Sequence, residues 1–60
     1  MIYRRRVSES LWHFCRNCSS WPSERYEEGT IEPPREALCA ECIRKNDELK
    51  CEVMPQPGAA

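Results

Sequence analysis

Two Cys-x-x-Cys pairs, a chain of 60 residues and one helical period around the second pair predict a small metal-stabilised α+β fold. The pairs are Cys15/Cys18 and Cys39/Cys42, with twenty residues between them. This is the spacing at which a chain delivers four thiolates to one tetrahedral ion. Ordering so short a chain costs about 1.5 kcal/mol per residue, and a core of this size barely offsets that. The candidate core is thin: Trp12, Phe14, Trp21, Tyr26, Ile31, Leu38, Ile43, Leu49 and Val53. A structural zinc adds about 10–16 kcal/mol of apparent folding free energy, enough to decide whether such a chain folds.

Residues 1–10 are polar and basic and read as a flexible arm. Leu11-Trp12-His13-Phe14 has the aromatic content of a short strand, with Trp12 and Phe14 on one face and Leu11 and His13 on the other. It runs into the first cysteine pair, and Ser19-Ser20-Trp21-Pro22-Ser23 reads as the turn that leaves it. Residues 24–32 hold Gly29 and are expected to form a hairpin or irregular loop. Pro33-Pro34 fits neither a strand ladder nor a helix interior and marks a boundary. Residues 35–51 are the helix candidate, because Cys39, Cys42/Ile43, Asn46, Leu49/Lys50 and Val53 recur on one face. Glu41 and Lys45 add an i,i+4 pair in the favourable order. Residues 54–60, rich in Pro, Gly and Ala, read as a disordered tail. The expected single domain therefore spans 11–53.

Cys15, Cys18, Cys39 and Cys42 are the expected ligands of one Zn2+ per chain. Two residues between cysteines let one tight turn present two sulfurs to one ion, and a distant second pair closes the tetrahedron. The second pair lies in helix-forming sequence, where exposed N–H groups of a first turn stabilise thiolates. His13 and Cys51 are weighed as further ligands; His13 reads as an outer neighbour of the site and Cys51 as a bystander thiol.

A loop pair, then a hairpin, then a helix whose first turn supplies the second pair resembles the treble-clef group of zinc fingers. The zinc ribbon is the alternative. The segment Trp12-His13-Phe14-Cys15-Arg16-Asn17-Cys18-Ser19-Ser20-Trp21-Pro22 is also similar to the opening of small bacterial proteins that share the pattern Trp-His-Phe-Cys-x-x-Cys-Ser-x-Trp-Pro. Ser19 stands where knuckle loops of these families usually carry Gly. The resemblance spans about residues 11–51 and implies a fold; treble-clef modules bind DNA, RNA, proteins or ligands, so it implies no single partner.

Charge narrows the partners. The net charge is −1, and a divalent ion on four thiolates would make it more negative by two. That disfavours nucleic-acid binding over the whole surface. The one basic patch joins Arg4, Arg5, Arg6 and Arg16, with Trp21 as a candidate stacking residue. The expected function is a non-enzymatic protein-interaction or adaptor module, with nucleic acid as the second choice of partner. No nucleophile–base pair or phosphate loop stands out, and four cysteines close the coordination that a hydrolytic zinc keeps open. A rubredoxin-like iron electron carrier and a thiol or metal sensor using Cys51 are the alternatives from other classes. No apolar run approaches membrane-spanning length and no apolar leader is visible, so a monomer in the reducing cytoplasm is expected.

Overall fold

The computed structural model describes residues 1–53, and it builds its sheet from segments far apart in the chain. Strand β1 (Tyr3–Arg6) pairs antiparallel with β2 (Tyr26–Gly29) in the register Tyr3↔Gly29, Arg4↔Glu28, Arg5↔Glu27, Arg6↔Tyr26. On the other side of β1, Arg4 and His13 exchange both backbone hydrogen bonds, at 2.9 and 2.8 Å. Trp12 in turn pairs with the chain around Leu38: its N–H donates to Ala37 O at 2.7 Å, and its carbonyl accepts from Cys39 N–H at 2.9 Å. Four stretches of backbone thus lie side by side, and helix α1 (Ala40–Asp47) follows directly from the last of them. The result is the small α+β architecture the sequence predicts.

Residues 1–10 were expected as a flexible arm, yet residues 3–6 are the central strand and Ile2 and Tyr3 are buried. The arginines themselves make this possible. Arg4 and Arg5 sit opposite Glu28 and Glu27 and pair with them at 2.9 and 2.6 Å, so a run of positive charge becomes a cross-strand ladder. Arg4 also lies 4.9 Å from the Trp21 ring and 4.2 Å from that of Tyr26, while Arg5 covers Trp12 at 5.4 Å.

The helix expected over 35–51 is shorter at both ends. Arg35–Ala37 is one 3-10 turn, and Leu38 and Cys39 are extended because they pair with Trp12. At the other end Leu49 takes a left-handed conformation, φ 59°. Lys50 N–H returns to Lys45 O at 2.7 Å and Leu49 N–H to Asn46 O at 3.1 Å, the Schellman closure that usually employs Gly. The turn frees residues 50–53 to lie along the first cysteine loop. There Asn17 Nδ2 donates to Lys50 O at 2.7 Å and Asn17 Oδ1 accepts from Glu52 N–H at 3.1 Å. Arg16 N–H donates to Glu52 O at 2.8 Å, Cys15 bridges Val53, and Cys15 is disulfide-bonded to Cys51. Leu49 is 94% exposed and makes a poor left-handed residue. Leu49→Gly is therefore expected to stabilise the protein by about 0.5–1 kcal/mol, seen as a rise in Tm.

The core gathers around the cysteines. Phe14, Tyr3, Cys15, Cys18, Cys39 and Cys42 form its centre, with Trp12, Trp21, Leu38 and Ile43 packed against it. Of the candidate core, Ile31, Leu49 and Val53 are exposed instead, Ile31 and Leu49 because they fall on turns. No described helix is long and apolar enough to cross a membrane. The tail expected over 54–60 lies outside the described residues.

Candidate metal centre

His13, Cys18, Cys39 and Cys42 bring four ligand atoms within 4.8 Å of one another, all from buried residues. Each is placed by a different local device. Cys39 is the N-cap of α1, held by its N–H to Trp12 O, and Cys42 follows in the first helical turn at 0% exposure. Cys18 closes a turn in which its N–H donates to Cys15 O at 2.9 Å. His13 is carried in by its pairing with β1. The loop beyond Cys18 is clipped to the helix by Glu41, whose carboxylate accepts from Ser19 N–H at 2.8 Å and from Ser19 Oγ at 2.6 Å. Those two bonds, with Lys45 adding to them, hold the Glu41 carboxyl below its ordinary pKa. Ser19 is not among the non-glycine residues with positive φ, which are Arg25 and Leu49, so this knuckle does not need the glycine common at that position.

The distances fit a tetrahedral ion. With metal–sulfur bonds of about 2.3 Å and a metal–nitrogen bond of about 2.0 Å, the edges of the tetrahedron are about 3.8 Å between sulfurs and about 3.5 Å from nitrogen to sulfur. Cys18 Sγ lies 3.9 Å from Cys39 Sγ, and His13 Nδ1 lies 3.8 Å from Cys18 Sγ and 4.0 Å from Cys42 Sγ. These three of the six edges lie above the ideal values by a few tenths of an ångström, and all four donor atoms lie within 4.8 Å of one another. A backbone N–H already points at one sulfur, Ser20 donating to Cys18 Sγ at 3.4 Å, and the backbone N–H groups of Cys15 and Phe14 pull the Cys42 thiol down. Such donors favour thiolate over thiol.

Burial works the other way in the absence of an ion. It pushes the Cys18 thiol up to about 12, against the pull of the Ser20 N–H, and it raises Cys42 against the pull of those two N–H groups. Cys18 and Cys42 are therefore thiols near neutrality, and a cation that binds must displace those protons. Its apparent affinity is expected to rise with pH, with protons released into unbuffered solution on titration.

His13 is oriented from outside. Its Nε2 lies 2.6 Å from Glu9 Oε1, and the ring is 2% exposed. With Nε2 protonated and donating to Glu9, the Nδ1 lone pair faces the sulfurs. A carboxylate holding the far nitrogen of an imidazole is the usual companion of a metal-bound histidine. Glu9 is itself held by Arg6 Nη1 at 3.6 Å, and Arg5 Nη1 donates to its carbonyl at 3.1 Å.

Three of the expected ligands, Cys18, Cys39 and Cys42, are brought together. Cys15 is not with them: its sulfur is bonded to Cys51, and His13 stands as the fourth donor. The physical reason is register. Pairing of residue 13 with Arg4 turns the His13 side chain to the cluster, and the strap at 50–53 takes Cys15. The one signal in the sequence is Glu9, four residues before His13, whose carboxylate orients the ring. Arg4, Arg5, Arg6 and Arg16, weighed as a phosphate-binding patch with Trp21, pair with Glu28, Glu27, Glu9 and Glu52 at 2.9, 2.6, 3.6 and 3.7 Å. A phosphate would have to compete with a carboxylate at each, and with Arg4 for the Trp21 ring. No protein family, curated protein or solved structure matches this chain.

Proposed function

We propose that this chain is a zinc-binding module of treble-clef-like design, with one structural Zn2+ held by His13, Cys18, Cys39 and Cys42. The observation that carries the reading is the convergence of four buried donors, three sulfurs and one imidazole, within 4.8 Å of one another. Soft thiolates with an imidazole suit zinc, and four protein donors leave no open position for substrate or water, so the role is architectural. A second pair at the start of a helix supports the treble clef over the ribbon, which would present two similar loops. The ion would tie α1, the Cys18 turn and the His13 strand to one point.

The module acts by contact with a protein rather than by catalysis, as a monomer. Two features support a protein partner over nucleic acid. The basic residues are already matched by glutamates, and the net charge is −1. Ile31 is 87% exposed and lines an apolar hollow of about 580 Å3 with Trp12, Pro33 and Pro34. Native mass spectrometry with metal analysis is the test: one zinc per monomer, lost on chelation together with the fold, is expected. Iron with visible absorption would instead favour a rubredoxin-like carrier, for which a histidine in the donor set is a poor match. Affinity for DNA or RNA that is salt-dependent and weakened by Arg16→Ala would move the partner to nucleic acid.

A further inference from the structure

The chain carries one more buried sulfur than the cluster uses, and it lies in the same core. Cys15 is 0% exposed and belongs to the same buried group as Cys18, Cys39 and Cys42. Its Sγ lies 3.4 Å from the carbonyl oxygen of Cys42, itself a member of the cluster. It is also the partner of Cys18 in a Cys-x-x-Cys pair, the spacing that gives two sulfurs to one ion. Its sulfur is instead held by the bond to Cys51. Cys51 is the more accessible end of that bond, partly buried at the edge of the strap 50–53. His13, by contrast, has an alternative tie in Glu9 that does not depend on any ion.

We propose that the Cys15–Cys51 disulfide selects between two ligand sets: His13 with three cysteines when it is closed, and Cys15 with the same three when it is open. The proposal rests on the metal-binding reading above. The opening step is thiol–disulfide exchange with a low-molecular-weight thiol such as glutathione. Its thiolate attacks Cys51 Sγ, forming a mixed disulfide and releasing the Cys15 thiolate. A second thiolate attacks the external sulfur, releasing the Cys51 thiolate and one molecule of the small disulfide. The protein gains two electrons and the two small thiols lose them. The Cys15 thiolate then takes the coordination place of His13, which leaves as a neutral imidazole still hydrogen-bonded to Glu9. The site becomes one unit more negative, and the strap keeps only its hydrogen bonds through Asn17 and Arg16. The module would thereby report the thiol state of its surroundings through the position of residues 50–53, without losing its ion.

Cobalt(II) is the probe, since sulfur-to-cobalt charge transfer scales with the number of thiolates bound. The oxidised protein, with the Cys15–Cys51 bond verified by peptide mapping, should show three sulfurs. Reduction under anaerobic conditions should raise the charge-transfer intensity by about one third, as three sulfurs become four, with a shift of the d–d bands. Cys51→Ser should give the four-sulfur spectrum without reductant, and Cys15→Ser the three-sulfur spectrum in either state. His13→Ala should bind cobalt well only when reduced. Identical spectra for oxidised and reduced protein, with cobalt bound in both, would overturn the exchange while leaving the metal site standing. No cobalt bound in either state would overturn the metal reading itself.

Discussion

Cys42→Ser is expected to lose the ion and the cooperative fold together, whereas Cys15→Ser is expected to keep one ion per chain. Cys42 sits in the first turn of α1 with no exposure. Removing its thiol takes a donor from the ion and puts a polar hydroxyl in a fully buried site, which costs about 1–3 kcal/mol if left unpaired. The larger loss is the ion itself, about 10–16 kcal/mol of apparent stability. A domain this small has about 5–15 kcal/mol in total. The Cys15–Cys51 bond, closing a loop of 36 residues, contributes about 4 kcal/mol in the chain-entropy account, too little to hold the chain alone. Cys42→Ser should therefore show no cooperative thermal transition and less than one equivalent of bound zinc. Cys15→Ser should lower Tm while leaving the zinc stoichiometry at one. Equal loss of zinc from both variants under oxidising conditions would return Cys15 to the ligand set.

Most of this centre is legible in the cysteine spacing alone. Cys39 and Cys42 fall at a helix start because the sequence from Ala40 onward has helical period and no breaker, and that is where α1 lies. Cys18 follows from the tight turn of its pair. Register, by contrast, has no local signature. Whether residue 13 or residue 15 faces the ion depends on pairing with Arg4, nine residues before His13, and with the stretch around Leu38, which adjoins Trp12 across 26 positions. The same dependence on distant partners makes a strand look like an arm. Arg4-Arg5-Arg6 has the character of a solvated charge run until Glu27 and Glu28 are placed opposite it. It also makes the helix look longer than it is, since nothing local announces that Asn17 will capture the chain at Lys50 and Glu52. Short-range propensity gives way wherever a long-range backbone pair competes with it.

Glu9 provides the sharpest probe of His13, because it lies outside the cluster and can be changed without removing a ligand. Glu9→Ala is expected to weaken zinc binding by the oxidised protein by about 10–100-fold. The carboxylate fixes the ring with Nε2 protonated and Nδ1 free, and without it the ring must hold that tautomer and rotamer unaided. Glu9 also places a carboxylate oxygen 2.6 Å from His13 Nε2, which fixes the orientation of the ring. Glu9→Gln should fall between the two, since its amide oxygen still accepts from Nε2–H but carries no charge. Competition with a chromophoric chelator gives the affinities, and imidazole 15N shifts read the tautomer directly. Glu41→Ala is the control: it releases Ser19 from the helix and should cost stability without altering the His13 tautomer. If Glu9→Ala binds zinc within about twofold of the parent and its imidazole shifts do not move, His13 is not the nitrogen donor, and the fourth place at the ion belongs to another residue.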